Sequence, residues 1–205
     1  MTTQAVDAET MDGLEEHVRD FFTGHSVART GYALGDGSRG SVAALRILEI
    51  SPGPAAGGWA YATVGASLHA DQRGNGREFV LTAPVRDPRF ADLSAMVASY
   101  HCGPKPHHLD TGHSVPIGEP WVPGSACDHF LVSLPYLHGP ALEHCALSNG
   151  HHARFLWLLP VTSSEIAFRR TYGTEALERL FDEAAIDPTD PHRASVVRPD
   201  TTPTV

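Results

Sequence analysis

The sequence predicts an α+β fold, a mixed, largely antiparallel sheet flanked by helices. Three observations point there. Strand-length apolar segments separated by turn signals occupy residues 42–85. Helical spacing of apolar residues precedes and follows them. Near the end, an Asn-Gly turn and two capped helical segments complete the pattern.

The elements follow in order. Met11, Leu14, Val18, Phe21 and Phe22 share one face of a short amphipathic helix over residues 11–22. Gly24 and the stretch Gly31–Gly40 interrupt the pattern, so no element is expected there. Strands are predicted at Val42–Ile50, Trp59–Leu68 and Arg77–Val85. Ser51-Pro52-Gly53-Pro54 and Gly74-Asn75-Gly76 are read as the turns between them, which makes an antiparallel meander. Pro88 opens a helix to about Tyr100, since Phe90, Leu93, Met96, Val97 and Tyr100 keep helical spacing. A Gly/Pro/His-rich loop spans Cys102–Gly124, and loops of such length inside a domain are often functional.

Strands are then expected at Asp128–Leu134 and Leu142–Leu147. Ser148-Asn149-Gly150 is a hairpin turn, and His151–Leu159 is the return strand. Its run of bulky apolar residues calls for burial on both faces, in mid-sheet. Thr162 and Glu165 have capping-box spacing, and Gly173 stops the helix they start. Thr174 is read as the cap of the next helix, with Leu177, Leu180, Phe181 and Ala184 as its apolar face, ended by Asp187-Pro188. Residues 1–190 read as one domain and residues 191–205 as a Pro/Thr-rich tail.

Composition bounds the function. Among 205 residues, 15 are basic and 24 acidic, a formal net charge of −9. There is one lysine, Lys105, and no basic run, which argues against nucleic-acid binding. An acidic surface suits a basic partner. No stretch approaches the roughly 20 apolar residues that cross a bilayer, and the first ten residues lack a signal-peptide core, so a cytoplasmic protein is expected. Three cysteines without C-x-x-C spacing make no disulfide framework.

Several ordered motifs in the second half resemble the suppressor-of-fused family. They are Gly118-Glu119-Pro120-Trp121, Cys127-Asp128-His129, Leu134-Pro135-Tyr136, and Gly139-Pro140 followed by Glu143 and Cys145. The most specific is Phe155-Leu156-Trp157-Leu158-Leu159-Pro160-Val161-Thr162, followed by Tyr172-Gly173-Thr174-Glu175-Ala176-Leu177-Glu178 and Ile186-Asp187-Pro188. The chain stops where animal members continue into a second domain, so the resemblance is to the short, bacterial-type, single-domain members. It implies a binding and sequestering protein without enzymatic activity or cofactor. Such short members are proposed to be immunity proteins that bind and neutralise a toxin.

The residue pattern leaves two kinds of site to weigh. Aromatic residues beside Gly/Pro segments anchor partners or pin loops. Trp121 and Tyr136 are candidates of that kind, and Asp128, His129 and His138 stand beside them as candidate partner contacts. Trp157 is expected in the core. The alternative is a metal- or cysteine-dependent hydrolase using the His/Cys-rich segment 101–129, with His101, Cys127, Asp128 and His129. Against it, no H-E-x-x-H or paired-cysteine spacing supplies a metal, and no third group orients a Cys–His pair. No metal is therefore assigned.

Overall fold

The run Phe155–Leu159 has no polar relief, and such a strand must be covered on both faces. In the computed structural model, which describes residues 3–34, 43–69, 75–102 and 107–198, it lies in mid-sheet with a layer on each side. In chain order the elements are α1 (Thr3–Phe21), β1 (Val27–Leu34), β2 (Ala43–Ile50), β3 (Trp59–Val64), a 3-10 turn (Ala66–His69) and β4 (Asn75–Ala83). Then come α2 (Pro88–Cys102), β5 (Ser114–Pro116), β6 (Cys127–Ser133), α3 (Pro140–Glu143), β7 (His144–Ala146), β8 (His152–Thr162), α4 (Ser163–Tyr172) and α5 (Thr174–Glu183).

The sheet order is β1-β2-β3-β4-β8-β6-β5, with β7 also paired to β8. β1 to β4 form an antiparallel meander. The β4–β8 pair is parallel, Asn75 facing His152 through Val80 facing Trp157. The chain reaches that register only by crossing over through α2 and the long loop. Along β8, successive side chains serve opposite cores. Phe155, Trp157, Leu159 and Val161 join α1, α4 and α5, while Leu156 and Leu158 join α2 and the long loop.

Several expectations need correction. Val27–Leu34 is a strand, where Gly31 was read as interrupting the pattern. An exposed edge strand carries no apolar alternation to betray it, and Gly31 merely faces solvent. The third meander strand begins at Asn75, so Asn75 and Gly76 pair with β8 instead of turning. A side chain at Gly76 has no room: its Cβ would lie 2.4 Å from Ser67 Cβ. The strand from Trp59 gives way after Val64 to the 3-10 turn. The expected strand Leu142–Leu147 is divided between the one-turn helix α3, opened by Pro140, and the three-residue β7. α1 begins at Thr3, more than two turns before its apolar stripe. Thr174 is inside α5, whose N-cap is Gly173 with no side-chain bond, and Ala184 is exposed. The glycines expected as a break at 35–40 lie outside the described residues.

The capping box at α4 is present, with Thr162 Oγ1 accepting from Glu165 N and Glu165 accepting from Thr162 N. Arg193, from the start of the segment read as a tail, reaches back into it. Arg193 Nη1 and Nη2 donate to the two Glu165 carboxylate oxygens at 2.7 and 2.8 Å, and Nη2 also to the Pro160 carbonyl. Val196 N donates to the same carboxylate. Among the described residues, no helix is long and apolar enough to cross a membrane.

Candidate functional site

The site begins with a tight turn after β6. Tyr136 N donates to the Leu134 carbonyl at 2.8 Å, and His138 N and Gly139 N donate to the Pro135 carbonyl at 2.8 and 2.7 Å. Gly139 has φ 72°, a left-handed angle that glycine adopts freely, and Pro140 then starts α3. This geometry turns Tyr136 and Leu137 outward, 63% and 44% exposed, the largest apolar pair on adjacent residues among the described surface.

His138 folds the other way. Its ring lies edge-on to Phe21 and Phe22, with centroids 5.9 and 5.5 Å away, and Nε2 is 3.3 Å from Thr82 Oγ1. Nδ1 is buried without a hydrogen-bond partner among the described residues. Burial, helped by nearby His25, pushes the imidazole pKa down to about 4. A neutral His138 thus supports the turn from beneath.

Tyr136 and Leu137 form one wall of an open groove of about 470 Å³. Trp157 and Leu159 of β8 line it, with Phe181 and Ile186 from the end of α5 and beyond. Trp157 is almost wholly buried, and its Nε1 finds no acceptor among the described residues. Such an orphan donor costs on the order of 1–3 kcal/mol. The polar residues of the rim include two carboxylates, Glu178 and Asp182. Burial, then the charges of Asp182 and Glu175, raise the pKa of Glu178. Burial, then the charges of Glu178 and Asp182, raise that of the Tyr136 phenol. The field at the groove mouth is therefore negative. Tyr136 and Glu178 are shared with a smaller hollow of about 290 Å³ that includes Thr174, Glu175 and Arg154. Arg154 is itself paired with Glu143 at 2.6 Å.

The other expected contacts lie elsewhere. Trp121 is fully buried; its indole donates to Ser125 Oγ at 3.1 Å and packs on Phe90. It holds the long loop to α2, where Arg89 also binds the Trp121 and Pro120 carbonyls. Of its two weighed roles, pinning the loop is the one this placement serves. Asp128 and His129 are half-buried and bonded to one another at 2.8 Å, at the start of β6. Tyr136 and His138 follow the other end of that strand. Leu137, Phe181 and Ile186 were not read as site residues from the sequence, because only the meeting of α5, β8 and the Pro135–Gly139 turn brings them together.

The residues of the hydrolase alternative do not converge. His101 Nδ1 accepts from Leu109 N at 2.8 Å, with its ring against Phe79. Cys127 is buried in β6; burial raises its thiol pKa against a partial pull from Arg193. Among the described residues, no hydrogen bond joins that thiol to a histidine, and no three His, Cys, Asp or Glu side chains are grouped to hold a metal. Glu78, fully buried in β4, is engaged by the Thr63 hydroxyl and the amides of Gly65, Ala66 and Ser67, so it braces the 3-10 turn.

A mixed sheet covered on both faces, with an open, acid-rimmed apolar groove beside β8, defines an α+β domain. The model of the suppressor of fused protein family matches residues 42–194, and the chain belongs to that family. It is similar to the crystal structure of a suppressor-of-fused homolog from Neisseria gonorrhoeae FA 1090, with 32% identity and a TM-score of 0.78, over 93% of this chain and 98% of that one. The Sufu–Fu complex structure shares the fold at 13% identity and a TM-score of 0.65, over 91% of this chain and 92% of that one. Drosophila Suppressor of Fused does so at 13% identity and a TM-score of 0.52; 91% of this chain covers 50% of that one. No curated protein sequence matches the chain.

Proposed function

We propose that this chain is a cytoplasmic binding domain without catalysis, and that its role is to seize and occlude a basic protein toxin as an immunity protein. The observation carrying this reading is the outward Tyr136–Leu137 pair over an apolar groove with carboxylates on its rim. Exposed aromatic and aliphatic side chains beside a pre-formed pocket are what a partner's anchor residue requires. The net charge of −9 favours fast encounter with a basic surface such as a nuclease active site. The buried, high-pKa Cys127 and the enclosed His101 supply no nucleophile–base pair in support of the hydrolase alternative.

The test is co-production with toxins encoded beside this gene, in a bacterial host. Rescue of growth, together with a stable complex whose association slows steeply as salt rises, is the expected result. The absence of both rescue and a complex, for every adjacent gene product, would overturn the reading.

A further inference from the structure

The groove's chemistry narrows what enters it, on the premise of the protein-binding reading above. An apolar floor of Trp157, Leu159, Phe181 and Ile186 suits an aliphatic side chain. Glu178 and Asp182 at the mouth, with Glu175 next to Glu178 in the adjoining hollow, favour a cation beside it. Burial, and then repulsion from Asp182 and Glu175, make Glu178 harder to ionise, and a cation relieves the repulsion. Trp157 lines this floor while its indole N–H is sealed from solvent, so the signal of that N–H reports on the groove without being covered by its occupant. A second copy of this chain would set two acidic rims against each other, and an anionic lipid surface would be repelled in the same way.

We infer that the groove receives an aliphatic side chain from a basic segment of the partner, with a neighbouring Lys or Arg held by Glu178 and Asp182. Tyr136, shared by the two hollows, stands between the aliphatic and cationic positions.

The test uses the full chain labelled with 15N and a capped hexapeptide of alternating lysine and leucine. The three indole N–H signals belong to Trp59, Trp121 and Trp157, and a Trp157→Phe variant assigns the last. The peptide is expected to shift the Trp157 signal in a saturable way and leave Trp121 unmoved. Counterparts with serine for leucine, or glutamate for lysine, are expected to bind at least about five-fold more weakly, as is the original peptide to a Glu178→Gln/Asp182→Asn variant. No saturable shift at Trp157, equal binding of the glutamate peptide, or a Trp157 signal that moves with protein concentration alone would overturn the inference. Toxin rescue by that same double variant at full strength would also overturn it while leaving the immunity reading intact. Failure of rescue by the wild-type chain, beside a positive titration, would sink the immunity reading alone.

Discussion

His138 shows how one side chain ties local backbone to solution behaviour. In the fold it is neutral, with its pKa lowered from 6.5 to about 4 by burial and by His25. The unfolded chain, with an ordinary imidazole, takes up a proton more readily. Stability from this residue is therefore present above about pH 6.5 and is lost as pH falls toward 4, by up to about 3 kcal/mol. Urea unfolding between pH 7.5 and 4.5 should show a steeper loss of stability for the wild type than for His138→Gln. Equal slopes would mean that His138 does not carry the effect. Trp121 and Tyr136 carried the same signal in the sequence, an aromatic beside Gly/Pro segments, yet one is buried and the other exposed. The inward turn of His138 was no more legible, because its neighbours Phe21, Phe22 and Thr82 come from distant elements.

Elements were legible in proportion to how locally their causes act. The α4 capping box needs only four residues and stands as read. β8 needs only its own apolar run. β1 escaped because an exposed edge strand owes its existence to β2, and α3 escaped because a short apolar stretch does not separate one helical turn from a strand. The ion pair of Arg193 with Glu165 was equally hidden, being made by a segment that composition marks as a tail. Burial alone would raise the Glu165 pKa; the hydrogen bonds and charge of Arg193, with the Thr162 and Val196 amides, bring it below the ordinary carboxylate value. Replacing Arg193 by alanine strands a buried carboxylate at the start of α4. A loss of about 3–5 kcal/mol is expected in denaturant unfolding. The Arg193→Ala/Glu165→Gln pair should recover part of it, and a loss under 1 kcal/mol would show that the clasp is incidental.

At the scale of the whole molecule, both the class of fold and the central place of β8 were readable, but the groove was not. It exists because α5 and the residues after it close over one face of β8 while the Pro135–Gly139 turn rises beside them, and no local pattern encodes that meeting. The order of the sheet carries a further consequence for how the chain comes to be made. Synthesis delivers the meander and α2 first, yet the parallel neighbour of β4 arrives only after the long loop, β6 and the β7–β8 turn. Until then Asn75–Val80 presents an open row of amides and carbonyls, between apolar faces bearing Phe79 and Val80, to any other nascent or refolding copy. Recovery after dilution from urea should accordingly decline, and light scattering grow, as protein rises from about 1 to 50 μM; a yield indifferent to concentration would mean that this flank is shielded before its partner strand is born.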